Sequence, residues 1–153
     1  VCDNASEDNS EEVVKSFKKK YPNIRLKYIK HPYNIGMVAN WRSCLDNASG
    51  DYVMILCDDD YLSSNNYLSE VAELISKNPD VVLITTNFTI KYPNKEIENN
   101  INLPYIVEGK EAYLKYFDKK YVGAGFFFCF YKRNIAKKLE IFKDNVITHD
   151  IQA

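Results

Sequence analysis

Three consecutive carboxylates, Asp58, Asp59 and Asp60, are the side chains of this sequence best suited to chemistry. Adjacent carboxylates repel one another, and burial would raise their pKa values. A divalent cation relieves this conflict, since Mg²⁺ or Mn²⁺ takes oxygen ligands and commonly binds one or two carboxylates together with substrate phosphates. The tripeptide therefore indicates either a site for a metal–diphosphate or a solvated acidic turn.

The carboxylates follow an unbroken apolar run over residues 52–57. Such a run predicts a strand that is buried on both faces, as in the middle of a parallel sheet covered by helices. A second apolar strand is predicted over residues 81–85, and the alternating residues 24–29 predict a strand near an edge. In open α/β sheets, ligands bind beyond the carboxyl ends of strands. We therefore expect the aspartates at a ligand-binding edge.

Helices are predicted between these strands, where apolar residues recur at helical spacing. The first begins near Ser10, the second places Trp41 in the core, and the third ends at Pro79. The later chain predicts a hairpin or loop over residues 92–104, a helix over 108–117, a strand over 126–131 and a short helix over 134–139. The resulting order, β-α-β-α-β-α-β followed by β-α, predicts a doubly wound α/β domain.

Composition excludes several classes of protein. Apolar residues make up 46% and charged residues 27%, as in soluble globular proteins. The net charge of -1 gives no electrostatic footprint for nucleic acid. No apolar run approaches the roughly 20 residues of a membrane span, and no signal peptide is visible. The cysteines lack zinc-site spacing and are interpreted as free buried thiols in a reducing compartment, at positions Cys2, Cys44, Cys57 and Cys129.

Three motifs occur in order: Val-Cys-Asp-Asn-Ala-Ser at residues 1–6, Asn-Ile-Gly at 34–36 with Ala-Ser-Gly-Asp-Tyr at 48–52, and Leu-Cys-Asp-Asp-Asp at 56–60. Together they resemble the nucleotide-binding half of family 2 glycosyltransferases. The resemblance covers residues 1–90 well and the remainder loosely. It implies the GT-A fold, a Rossmann-like three-layer α/β/α sandwich with a mostly parallel central sheet. Residues 1–153 would then form a single domain, with a nucleotide-binding half at 1–90 and an acceptor-side half at 91–153.

The resemblance also implies roles for individual residues. Asp3 matches the aspartate that pairs with the nucleotide base, and Asn34 lies in a loop near the nucleotide. Asp58 would contact the ribose, and Asp59 would ligate the Mg²⁺ or Mn²⁺ that bridges the diphosphate. Asp60 would support the ligands or contact the donor sugar.

One departure concerns Cys57, because the family usually has an aspartate there. It leaves open which two of the three aspartates bind the donor and metal. The pattern resembles an abequosyltransferase-like subset, in which a small residue precedes three aspartates. The family also has a strand and helix upstream of Val1. We therefore expect a fragment that can be inactive alone, with an unpaired sheet edge that favours homo-oligomers.

Inverting glycosyl transfer needs a general base for the acceptor hydroxyl. Asp150, after Thr148 and His149, resembles the late aspartate of the family, and Asp144 is the reserve candidate. The alternative for Asp150 is an ordinary carboxylate in a surface loop. His31 is predicted at the surface.

The expected function is metal-dependent, inverting transfer of a sugar from a nucleotide-sugar donor to a glycan or lipid-linked acceptor. The expected setting is bacterial cell-surface polysaccharide biosynthesis, in the cytoplasm at the inner face of the membrane, with peripheral membrane association through other regions. One alternative is a nucleotidyltransferase acting on sugar phosphates, although no glycine-rich phosphate loop is visible. The other is a non-catalytic truncated domain.

Overall fold

The computed structural model describes residues 1–100, 105–112, 114 and 129–143. The chain divides into two compact units. The first contains Val1–Gly50 and, from the later chain, residues 136–143. The second is built within Asp51–Ile135.

Strands and helices alternate along the first part of the chain, as the sequence predicts. No helix in the described ranges is both long and apolar enough to span a membrane. The alternation from β1 to β4 confirms the predicted element order and the α/β class. The elements are β1 (Cys2–Asp3), α1 (Ser10–Lys20), β2 (Ile29–Lys30), α2 (Met37–Asn47), β3 (Tyr52–Val53), α3 (Tyr67–Lys77), β4 (Leu83–Thr85), β5 (Phe88–Tyr92), β6 (Lys95–Asn99), α4 (Gly109–Glu111), β7 (Cys129–Lys132) and α5 (Arg133–Lys138).

A short parallel pair forms the sheet of the first unit. β1 pairs with β2, which places Asp3 opposite Lys30. The backbone N–H of Ile29 donates to the carbonyl of Val1 at 2.9 Å, and that of His31 donates to Asp3 at 2.9 Å. The observed strand β2 is thus shorter than the strand predicted over residues 24–29 and lies later in the chain. Its parallel partner β1 ends at Asp3.

The core of the first unit lies against α2. Trp41 and Leu45, one helical turn apart, are both buried, which confirms the core position predicted for Trp41. The Trp41 ring packs against Phe142, with 5.9 Å between centroids. Arg42 donates from Nε and Nη2 to the Phe142 carbonyl at 2.9 and 2.8 Å. These contacts join α2 to the segment that follows α5.

The second unit contains a three-stranded antiparallel sheet in the order β3-β7-β4. Its core consists of Val71 from α3, Ile84 from β4 and Phe130 from β7. Phe130 also contacts the Tyr67 ring, with centroids 5.9 Å apart. Partly buried residues surround this core, namely Tyr52, Met54, Tyr67, Leu74, Ile75 and Val81.

The two apolar runs differ from the prediction in length, direction and burial. β3 has only two residues, and both β3 and β4 run antiparallel to β7. Leu56 is 47% exposed and Leu83 is 49% exposed, so the prediction of strands buried on both faces is wrong here. Successive strand residues point to opposite faces. Val53 and Cys129 are buried on the face opposite Ile84, but Leu83 on that same face is not covered. Among the described strands, parallel pairing is restricted to β1 and β2.

A hairpin of β5 and β6 occupies the region predicted as a hairpin or loop. Tyr92 pairs with Lys95 across a two-residue turn, and the Lys91 ammonium lies 3.0 Å from a Glu96 carboxylate oxygen. The hairpin alternative is therefore confirmed as far as residue 99. α4 begins where the helix over 108–117 was predicted, and α5 confirms the helix predicted over 134–139.

We expect Ile84→Ala to lower the free energy of unfolding by about 3 kcal/mol, because it removes buried methylenes and leaves a cavity beside Phe130. Leu83→Ala on the same strand is the matched control. Leu83 is half exposed, so its loss should cost about 1 kcal/mol or less. Urea unfolding followed by circular dichroism measures both, and equal losses would contradict the assigned core.

Candidate functional site

The acidic segment after β3 folds into a tight turn centred on Asp58 and Asp59. The backbone N–H of Asp60 donates to the Cys57 carbonyl at 3.2 Å and closes this turn. As a result, the Cys57 sulfur and one carboxylate oxygen each from Asp59 and Asp60 lie within 4.8 Å of one another. Asp58 is outside this group. The structure thus brings together two of the three predicted aspartates and adds Cys57.

The environment of this group disfavours negative charge. Burial raises the pKa of Asp60, and the neighbouring Asp59 and Asp58 carboxylates raise it further. Burial is also the main cause that raises the pKa of the Cys57 thiol, followed by the three carboxylates. A bound cation would reverse these effects, since it favours ionised ligands.

The same group fits a divalent cation by its donor atoms and spacing. Metal–ligand bonds of about 2.0–2.3 Å place two ligands of one ion no more than roughly 4.5 Å apart. The observed spread of at most 4.8 Å requires only a small side-chain adjustment. Cys57, Asp59 and Asp60 can therefore hold one ion together.

Lys91 of the β5–β6 hairpin lies beside Tyr61, the residue that follows the acidic turn. The Lys91 ammonium is 5.5 Å from the centroid of the Tyr61 ring. Tyr61 and Glu96 both raise the pKa of Lys91, so this ammonium stays charged. The sequence did not predict the role of Lys91, because its contact with Tyr61 joins positions thirty residues apart and no local sequence pattern indicates it.

Asp3 is buried at the end of β1, with a relative exposure of 6%. One carboxylate oxygen accepts a hydrogen bond from the Ser6 backbone N–H at 2.7 Å, and the other accepts one from the Tyr28 hydroxyl. The hydrogen bond from Tyr28 is the largest cause of the lowered pKa of Asp3. Burial raises this pKa, and the hydrogen bonds from Ser6 lower it further. Asp3 is therefore held as an ionised acceptor. Its predicted contact with a nucleotide base stays a prediction.

Asn34 shapes the loop between β2 and α2. Its side-chain oxygen accepts hydrogen bonds from the Gly36 N–H and from the Asn4 amide, both at 2.8 Å. Asn4 in turn accepts from the Ile35 N–H at 2.8 Å. Gly36 has φ +85°, a backbone conformation that a residue with a side chain adopts only with strain. These bonds join the loops that follow β1 and β2, and donor binding by Asn34 stays a prediction.

A cleft of about 770 Å³ opens beside these two loops. Tyr33 is 69% exposed there and offers an open aromatic face. His31, predicted at the surface, is instead partly buried, and its Nε2 atom has no hydrogen-bond partner in the described part of the chain. The residues that line the cleft include Asn4, Ala5, Lys30, His31, Tyr33 and Asn34.

The predicted site residues do not all fall within one described unit. Asp3 and Asn34 belong to the first unit, whereas the acidic turn belongs to the second. Asp150 and the reserve candidate Asp144 lie outside the described residues, and their catalytic roles stay predictions.

Comparison with known proteins gives one family and several relatives. The model of the family described as glycosyl transferase family 2 matches residues 1–140. Uncharacterized proteins of Mycobacterium bovis and of two strains of Mycobacterium tuberculosis are each 26% identical over 83 residues. Each match covers 54% of this chain but only 24% of the relative. The chain thus matches about a quarter of the length of these proteins.

We expect Tyr28→Phe to raise the pKa of Asp3, because it removes the hydroxyl that favours the ionised carboxylate. Asp3 has a folded pKa below its ordinary value of 3.8, so its ionisation stabilises the fold above about pH 4 and less as the pH falls. The variant should therefore lose stability at pH 7, and the loss should become smaller as the pH falls below about 4.

Carboxyl NMR titration and urea unfolding at several pH values measure these effects. Tyr33→Phe is the matched control, since Tyr33 is exposed on the neighbouring loop. An unchanged Asp3 pKa in Tyr28→Phe would contradict the described network.

Proposed function

The chain belongs to glycosyl transferase family 2, and we propose on that premise that it transfers a sugar from a nucleotide-sugar donor to a glycan or lipid-linked acceptor, with inversion. The observation that carries this proposal is the convergence of Cys57, Asp59 and Asp60 in the turn that follows β3 and residues 54–56. Such a group is suited to the metal–diphosphate portion of a donor. The alternation of strands and helices from β1 to β4 supports the GT-A fold for the family domain.

We assign Asp59 and Asp60 to the Mg²⁺ or Mn²⁺ ion of such a donor. When bound, the ion would neutralise charge that develops on the leaving diphosphate. The proximity of Asp60 to Asp59 supports a ligand role for Asp60 over a sugar contact. Asp58 is outside the group and available for the predicted ribose contact.

The nucleoside is assigned to the cleft beside β1 and β2. Asn34 lines this cleft, and Asp3 immediately precedes the lining residue Asn4 in the chain. Each carboxylate oxygen has two lone pairs, and each Asp3 oxygen uses one of them for Ser6 or Tyr28. Asp3 can therefore still accept an N–H of a base. The lowered pKa of Asp3 supports this role, because in the ionised carboxylate both oxygens are acceptors.

Further proposals follow from the resemblance described above. Residues 1–90 would bind the nucleotide and residues 91–153 would face the acceptor, with Asp150 as the general base. The small Cys57 followed by three aspartates supports the abequosyltransferase-like subset. Cell-surface polysaccharide biosynthesis, at the cytoplasmic face of the membrane, is the proposed setting.

Calorimetric titration with UDP, GDP and dTDP, with and without Mn²⁺, tests the function. Metal-dependent binding of a nucleoside diphosphate is the expected result. Binding of nucleoside triphosphates with release of pyrophosphate would instead indicate a nucleotidyltransferase. Failure of every nucleotide to bind to the folded protein would contradict the proposed donor site.

We predict that Asp59→Asn abolishes the Mn²⁺-dependent part of nucleoside diphosphate binding, because the ion loses a charged ligand. The expected loss of affinity is about tenfold or more. Glu73→Gln is the matched control, since Glu73 is exposed on α3 in the same unit and forms an ion pair with Lys77. Equal metal dependence in Asp59→Asn and the wild type would count against the assignment.

Asp150→Asn is predicted to leave donor binding intact and to lower the rate of transfer by about 10²–10⁴-fold, as expected for loss of a general base. Asp144→Asn is the companion variant that tests the reserve candidate. Donor binding is measured by calorimetry, and transfer by release of the nucleoside diphosphate. Transfer at the wild-type rate in Asp150→Asn would require another base.

A further inference from the structure

Tyr33 lies exposed on the wall of the cleft beside β1 and β2. Its relative exposure of 69% leaves the aromatic ring open to solvent, and the other described residues provide it with no ring partner. Single exposed aromatic residues are common on protein surfaces, so exposure alone identifies no site. Tyr33 differs because it lines a cavity, and cavities that bind small molecules are lined by apolar and aromatic side chains.

The loop that carries Tyr33 is fixed on both sides by hydrogen bonds. On one side, the His31 backbone N–H donates to the Asp3 carbonyl at 2.9 Å. On the other side, the Asn34 side-chain oxygen accepts a hydrogen bond from the Asn4 amide at 2.8 Å. A ring held on an ordered loop loses little conformational freedom when a ligand binds, so more of its contact energy is available as affinity.

The cleft has the size and polarity of a site for a planar ligand with polar edges. Its volume of about 770 Å³ lies within the range of roughly 300–1,000 Å³ that is typical of small-molecule pockets. Lys30 and Glu7 contribute charged groups to its lining, and Asn34 contributes an amide. A nucleobase combines such polar edges with an aromatic face, and any base can stack on a tyrosine ring because every base has a π-face.

We propose that Tyr33 is the platform on which the base of the nucleotide-sugar donor stacks, and that it supplies affinity without selecting the base. The inference rests on the proposed nucleoside cleft and adds the residue that contacts the face of the base. Selection is left to groups that contact the base edge, such as Asp3, because hydrogen bonds distinguish bases whereas stacking tolerates all of them.

Calorimetric titration of the folded protein with UDP and with GDP, each in the presence of Mn²⁺, tests the platform. Tyr33→Ala should weaken the binding of either nucleotide by about tenfold, because the stacking surface is lost. The ratio of UDP affinity to GDP affinity should stay unchanged. Tyr33→Phe should bind both nucleotides like the wild type, since it keeps the ring and removes only the hydroxyl.

Two controls separate stacking from a general effect on the protein. Mn²⁺ with inorganic pyrophosphate is a probe without a base, so Tyr33→Ala should bind it like the wild type. Tyr105→Ala removes another exposed tyrosine, in the second unit, and should leave nucleotide binding unchanged. Circular dichroism verifies that each variant is folded.

The outcomes separate this inference from the proposed function. UDP and GDP binding that is as tight in Tyr33→Ala as in the wild type would overturn the platform and keep the donor site. An equal loss of pyrophosphate affinity, or a changed ratio of UDP to GDP affinity, would also refute the role of Tyr33 as a base-tolerant stacking surface. Failure of the wild type to bind any nucleotide would overturn both.

Discussion

The local backbone geometry after β3 determines which of the four side chains at residues 57–60 lie close to one another. The Cys57 sulfur and a carboxylate oxygen of Asp59 lie within 4.8 Å of each other across the turn centred on Asp58 and Asp59. The hydrogen bond from Asp60 N–H to the Cys57 carbonyl then turns the chain and brings Asp60 back toward them. Asp58 is excluded from the group by the same geometry. The convergence of these candidate ligand atoms is therefore a local property of residues 57–60.

The second unit supports this turn through a small core between α3 and the sheet. Val71, Ile84 and Phe130 pack α3 onto β4 and β7. β7 also pairs with β3, and residues 54–56 connect β3 to the turn. The Tyr52 hydroxyl donates to the Val81 carbonyl and links β3 to the segment entering β4. Disruption of this core would therefore act on the acidic turn through β3.

The sequence specifies local features well because their causes are local. The spacing of Trp41 and Leu45 predicts both α2 and its buried face, and the order of elements follows from hydrophobic periodicity alone. Strand direction is different, since the partner of Ile84 is Phe130, and no local pattern identifies a partner 46 residues away. The contact of Lys91 with Tyr61 escaped prediction for the same reason.

The site shows a similar division between local and longer-range causes. Three aspartates after an apolar run were sufficient to locate a candidate metal site from sequence. Which of them converge, and the inclusion of Cys57, depended on the turn that replaces the end of the predicted strand. The partial burial of His31 likewise depends on contacts of the β2 loop that its neighbours in sequence do not reveal.

The two carboxylate environments differ in a way that separates their ligands. Asp3 accepts hydrogen bonds from Ser6 and Tyr28, and these lower its pKa despite burial. Asp60 has a raised pKa because burial acts together with like charges. A carboxylate that already accepts hydrogen bonds from N–H and O–H groups stays ionised, and it can accept a further hydrogen bond, such as one from a nucleobase N–H. A carboxylate destabilised by its neighbours gains most from a cation, because only added positive charge removes the repulsion. Opposite pKa shifts therefore indicate that the two carboxylates suit different kinds of ligand.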